Sequence, residues 1–257
     1  MAQRRRRVIT IYRADERHHV HGRAHDHWRT FHPRGPGDPL AGGFGVLAAL
    51  DEDRLGPGER PQRQPTVTGE LVTYVRAGAL AVLDSRGASG AIHAGEFRRT
   101  VAHPDLRHGV GNASRSEWAH AFQLSLAAPG LPSGLRAEQR GFAIAEHGGR
   151  LCVVASPDGR GGSLRLHVDV VILAATLAPG QVVAHGLTPG RAAWVHVLAG
   201  DATLGDYTLT SGDGVGVTDE RTVTLRARAA TELLICDLIE PPPPPPRTRS
   251  RPGSLSG

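Results

Sequence analysis

Two stretches of this chain, about 120 residues apart, read as copies of one pattern, and a duplication of that kind leaves few folds open. Leu71 to Leu83 runs Leu-Val-Thr-Tyr-Val-Arg-Ala-Gly-Ala-Leu-Ala-Val-Leu, and Ala193 to Leu204 runs Ala-Trp-Val-His-Val-Leu-Ala-Gly-Asp-Ala-Thr-Leu. Each is a β-rich run, an Ala-Gly pair and a second short β-rich run. Gly78 and Gly200 stand where a hairpin needs positive φ. Each unit is followed by a further glycine turn, Ala94-Gly95-Glu96 in the first and Ser211-Gly212-Asp213-Gly214 in the second. The pattern predicts an all-β chain of two antiparallel barrels, each small enough to enclose one ligand.

Composition agrees with that expectation. With 33 glycines and 19 prolines in 257 residues, many short strands and turns fit better than a helical bundle. Aromatics are only 4%, so the core must rest on Val, Leu, Ile and Ala. No apolar run reaches the ~20 residues a membrane-crossing helix needs, and no apolar stretch follows the N-terminal arginines, so the chain reads as a cytoplasmic protein with no membrane partner. Cys152 and Cys236 sit in apolar stretches and read as free thiols. The net charge of +5 invites a nucleic-acid partner, but every basic residue is Arg, with no Lys, and the clusters lie at the ends, Arg4 to Arg7 and Arg247 to Arg251. No basic stripe interleaved with aromatics runs through the body, so no specific nucleic-acid binding is expected.

The expected organisation is a basic, histidine-rich segment (1–27, containing the start of the fold), a first barrel (28–128), a linker region (129–165), a second barrel (166–239) and a proline-rich tail (240–257). The run Pro241 to Pro246 cannot join a sheet, so the fold should end near Ile239, with a disordered tail beyond it.

Finer motifs carry a family likeness. They are Trp28-Arg-Thr-Phe31 leading to Asp38-Pro39, Gly43-Phe-Gly-Val-Leu47, Asp51-Glu-Asp53 with Pro57-Gly58, and Glu70 to Val75 with Leu83-Asp-Ser85. Glu138-Gln-Arg140, Ala155-Ser-Pro-Asp158 and Gly162-Ser-Leu164 follow, then Trp194-Val-His-Val197, Gly212-Asp-Gly214, Glu232-Leu-Leu234 and Asp237-Leu238. In order and spacing these span nearly the whole chain, which resembles the pirins, a family of bicupins with two cupin (jelly-roll) barrels. The resemblance implies a divalent metal such as iron in the first barrel, held by a His-x-His pair and a His-x-Glu pair. It also implies quercetin dioxygenase-like, flavonol ring-opening chemistry in some members.

Carried onto this chain, the implied His-x-His pair falls on Gln64 and Thr66, and the His-x-Glu pair on His108 and Val110. One ligand in four remains, His108, and Asp105 replaces a glycine expected three residues before it. A carbonyl, a hydroxyl and an isopropyl group are poor company for a first-row metal. The site therefore reads as degenerate, with no cofactor. No residue stands out as catalytic.

Glu70 shares parity with Gln64 and Thr66, so on a regular strand it faces the same interior and joins the pocket candidates. It reads either as a rebuilt metal ligand beside His108 or as the partner of an arginine. His103 and His120 are further ligand candidates, with His93 and His103 reading rather as edge residues and His120 as a buried histidine bonded to backbone. His18, His19, His21, His25 and His27 lack an ordered ligand spacing and read as an adventitious metal binder. His185 and His196, in the second barrel, read as structural. No phosphate loop, nucleophile elbow or Cys-x-x-Cys motif occurs.

Three functions remain open. The first is a small-molecule or protein-binding, regulatory bicupin using the pocket of Gln64, Thr66, Glu70, His108 and Val110. The second is a dioxygenase with a rebuilt metal site. The third is a metal-free enzyme with His108 as general base.

Overall fold

The computed structural model describes residues 8–35, 38, 40–60, 62, 63, 68–84, 89–102, 108–132 and 136–241. In the first half the strands are β1 (Val8–Tyr12), β2 (His18–His21), β3 (His25–Arg29), β4 (Leu47–Leu55), β5 (Gln62–Arg63), β6 (Gly69–Ala77), β7 (Ala79–Asp84), β8 (Ser89–His93), β9 (Glu96–Ala102), β10 (His108–Asn112), β11 (Ala119–Ala127) and β12 (Glu138–Gly141). In the second half they are β13 (Cys152–Ser156), β14 (Leu164–Arg165), β15 (Val170–Leu177), β16 (Val182–Gly186), β17 (Arg191–Ala199), β18 (Asp201–Leu204), β19 (Tyr207–Thr210), β20 (Gly214–Thr218), β21 (Thr222–Ala227) and β22 (Thr231–Ile239). Among the described residues there is no α-helix, only three short 3-10 turns.

Each barrel pairs a seven-stranded with a four-stranded sheet. The first has orders β12-β9-β6-β11-β4-β3-β2 and β5-β10-β7-β8; the second has β1-β20-β17-β22-β15-β13-β14 and β16-β21-β18-β19. The two orders superimpose as a duplication, with β6 to β9 matching β17 to β20. The chain is thus all-β, as the repeat predicted. The N-terminal segment divides between the barrels: β1 pairs with β20 of the second, while β2 and β3 extend the first through β4.

The repeated glycines do a different job from the hairpin turn expected of them. β6 and β7 belong to different sheets, as do β17 and β18, so Gly78 and Gly200 are corners where the chain changes sheet. Their φ values are +69° and +90°. A Cβ would meet the carbonyl oxygen of Trp118 at 2.4 Å in the first case and of Ala230 at 2.1 Å in the second. Only glycine satisfies both demands.

The central strands of the large sheets are buried on both faces. Val75 faces the first barrel's interior with Leu55, Leu80 and Val82. Its neighbours Val72 and Tyr74 face the other way, into a core shared with the second barrel's Ile172, Trp194 and Leu234. Trp194 is the centre of this interface, with the Phe31 ring 4.7 Å and the Phe44 ring 5.6 Å away. β22 is the last described strand: after it the backbone N–H of Glu240 bonds the carbonyl of Gly190, and residues 242–257 lie outside the described residues. No helix of the structure is long and apolar enough to cross a membrane. Both cysteines are free thiols; Cys236 is buried, which pushes its pKa up to about 12.

Candidate functional site

Of the four positions the resemblance assigned to a metal, the structure describes the side chain of one, Val110, and it offers no ligand atom. Val110, buried on β10, lines the first barrel's interior with Leu71, Val82 and Ile92, alongside Thr73, Arg98 and Gln123. Where a carboxylate would have to stand there is only hydrocarbon. The space among these side chains is about 10 Å³, room for about one water. His108 opens β10 opposite Asp84. Gln64, Thr66, His103 and Asp105 lie outside the described residues.

Glu70 is not a pocket residue, and this corrects the parity argument. It sits on β6 among residues facing the second barrel and is fully buried. Its carboxylate accepts the backbone N–H groups of His167 (2.7 Å) and Val168 (3.1 Å) and lies 3.0 Å from His167 Nδ1. Arg99, itself buried, stands 3.6 Å away. The alternation failed because the chain leaves the small sheet after β5 and joins the large one at β6. Parity does not survive a change of sheet.

The histidine-rich segment is more ordered than its sequence suggested. β2 and β3 form a hairpin on β4, which sorts the imidazoles by face. His19, His21 and Asp26 gather outside, where His19 stacks on Trp28 and His21 bonds Asp26. His25 and His27 gather on the other face, with Asp53 of β4 opposite His27 in register. His25 Nε2 and His27 Nδ1 reach the same carboxylate oxygen, Asp53 Oδ1, at 2.7 and 2.9 Å. Burial alone would raise the Asp53 pKa; the two imidazoles outweigh it and hold it at about 2. The hydrogen bond to Asp53 in turn raises the His27 imidazole above its ordinary value, against its partial burial. Beside them Arg29 clasps Asp51 through two hydrogen bonds of 2.9 and 3.1 Å.

The opposite face of β4 carries a buried ionic group at the interface. Glu52 takes a 2.7 Å bond from Arg17 and lies 2.8 Å from His120 Nε2. So His120 is partly buried against a carboxylate, not against backbone. Burial would lift Glu52, but His120 and Arg17 bring it down to about 2. His196 of β17, fully buried beyond Phe122, is pushed down to about 3 by burial and by the Arg17 charge.

A cavity of about 400 Å³ lies in the second barrel, and sequence reasoning missed it. Its polar lining includes His185, Arg191, Asp237, Asp169 and Arg160. His185 Nε2 lies 2.8 Å from Asp237 Oδ2, and Arg191 reaches Asp169 Oδ1 at 2.8 Å. Burial raises the Asp237 carboxyl, but His185 and Arg191 win and hold it below its ordinary value. The sequence offered only isolated residues here; β16, β17 and β22 bring them together.

Comparison with known proteins agrees with this architecture. A family model described as the quercetinase C-terminal cupin domain matches residues 153–238. A quercetin 2,3-dioxygenase of Escherichia coli (strain K12) is 31% identical over 235 residues, 91% of this chain and 100% of that protein. A pirin-like protein of Caulobacter vibrioides is 26% identical over 201 residues, 78% of this chain and 86% of that protein. Among solved structures, the bacterial pirin YhhW from Escherichia coli in complex with nickel(II) superimposes with a TM-score of 0.81 at 30% identity. That match covers 91% of this chain and 100% of the other.

Proposed function

The chain belongs to the pirin family of bicupins, and from that premise we propose that it binds a small polar molecule and does not use the family's metal position for flavonol ring opening. The observation that carries this reading is Val110, a buried hydrocarbon side chain where a ligating carboxylate would be required. The second barrel supports the binding half of the reading. Its cavity of about 400 Å³ lies within the range of small-molecule sites and has donors and acceptors fixed by one another: Arg191 on Asp169 and Asp237, and Asp237 on His185. Such a lining suits a ligand that both donates and accepts hydrogen bonds.

The competing reading is a dioxygenase. It draws on the name of the 31% identical relative and requires a metal centre rebuilt from residues other than Val110 and Glu70. The two readings separate in one experiment. The full chain, supplied with iron(II), nickel(II) or manganese(II), is incubated with quercetin in air, and flavonol loss is followed by absorbance. The binding reading expects no loss beyond the metal-only control; turnover that depends on the protein overturns it. In parallel, protein purified from its host is examined by native mass spectrometry for a retained small molecule. A Gly186→Phe variant should lose that molecule, since Gly186 lines the cavity and a Cβ there meets nothing within 4 Å.

A further inference from the structure

We infer that His25, His27 and Asp53 form a divalent transition-metal site on the inner face of the first barrel's large sheet, separate from the family's metal position. The inference is independent of ligand binding in the second barrel.

The placement follows from strand geometry. His25 and His27 are two apart on β3, so they share a face. Asp53 pairs with His27 across β3 and β4, and Leu55 pairs with His25. Leu55 belongs to the barrel's interior cluster, so Asp53, two residues earlier on β4, looks the same way. On the next strand Asp53 faces Ala121, another member of that cluster. The three donors therefore line the barrel's inside wall, whereas His108 and Val110 belong to the small sheet across the barrel.

The donor geometry is close to what a cation needs. One ligand atom from each residue lies within 4.8 Å of the others. Around a tetrahedral ion with bonds of ~2.0–2.1 Å, donors sit ~3.3 Å apart. The two imidazole-to-carboxylate distances of 2.7 and 2.9 Å need only spread by about half an ångström to admit one. Two imidazoles and one carboxylate are the donors of zinc, nickel, cobalt and iron(II) sites, and they are too few and too soft for magnesium or calcium. Three protein ligands leave at least one position for water or another small ligand. The imidazoles, about a quarter exposed, give access, while the carboxylate is 6% exposed.

A second carboxylate stands near the ligands. His27 presents Nδ1 to Asp53, and its Nε2 lies 4.0 Å from Asp51 Oδ1. Asp51 is fixed by Arg29, whose charge it offsets. The outer group of His19, His21 and Asp26 has no buried member, with the His21 side chain 75% exposed. It is the adventitious binder, and the inner group is the built one.

The test titrates full-length protein with cobalt(II) and zinc(II), following cobalt absorption in the visible and zinc binding by calorimetry. The background carries His19→Gln and His21→Gln. We expect one tightly bound equivalent in that background, with tetrahedral or five-coordinate cobalt bands. Asp53→Asn, which preserves shape, should weaken it at least tenfold, as should His25→Gln, which serves if Asp53→Asn does not fold by circular dichroism. His108→Gln should leave it unchanged. Loss of the equivalent in the background variant, its survival in both Asp53→Asn and His25→Gln, its loss in His108→Gln, or no binding at all would each overturn the inference.

Discussion

Glu70, buried on β6 of the first barrel, accepts the backbone N–H of Val168 at 3.1 Å and so ties that barrel to the segment leading into β15 of the second. The neighbouring N–H of His167 binds the same oxygen, and Arg99 balances the charge. A carboxylate so occupied is a structural clasp.

Glu70→Ala should therefore cost stability and leave metal binding alone. Arg99 is 3% exposed and, among the described residues, keeps Glu138 (2.9 Å) as its one charged partner once Glu70 is gone, so a loss of about 3 kcal/mol is expected. Glu70→Gln, which can still accept the backbone N–H groups, should lose about half that. Chemical denaturation measures both; unchanged stability with altered cobalt binding would return Glu70 to the metal-ligand role.

Acid should destabilise the fold through two buried groups at the interface. His196 has a folded pKa of about 3, below the ordinary 6.5, with Arg17 and Glu52 as its charged neighbours. Between those values the unfolded chain binds a proton that the folded one does not, so stability falls as pH drops through that window. Glu52 acts in the same direction lower down: its stabilisation is complete above about 4.5 and is lost as pH falls toward about 2. Each contributes a slope of up to ~1.4 kcal/mol per pH unit within its window. His196→Leu should flatten the pH dependence between pH 6 and 4, and an unchanged slope would contradict the assignment.

The sheet-changing corners should be intolerant of side chains. At Gly200 and at Gly78 an added methyl group meets a backbone carbonyl and the backbone has positive φ, so neither substitution can be relieved by a side-chain rotation. Gly200→Ala and Gly78→Ala should each lower stability by about 2 kcal/mol or more. Thermal denaturation reads this, and a neutral result at either position would show that its corner is looser than described.

The barrels should unfold as one. Leu50, Phe122 and Leu124 of the first share a single apolar cluster with Ile172, Trp194 and Leu234 of the second, and β1 joins the second barrel from the far end of the chain. Calorimetry should show one transition. Trp194→Ala should lower it by about 3–5 kcal/mol, and two separate transitions in the unaltered protein would contradict a shared core.

Much of this was legible in the sequence, for physical reasons. The duplicated glycine corners, the strand-rich runs and the spaced motifs report local geometry and turn demands, and these gave the two barrels and the family. What sequence did not reveal depends on register between distant strands. Nothing in His25-x-His27 names Asp53, 26 residues beyond it, until β3 lies antiparallel on β4. Glu70 was misplaced because alternation was carried across the gap between two sheets. The cavity around His185 and Asp237 joins residues from four strands spread over more than 50 positions.

The central claim is that the inherited metal position is lost in this pirin, and it is tested most directly by anomalous diffraction from crystals of the full chain grown with zinc(II). The account predicts no anomalous peak beside His108 and Val110 and a peak between His25, His27 and Asp53. A peak at His108, with ligands drawn from its own sheet, would contradict it.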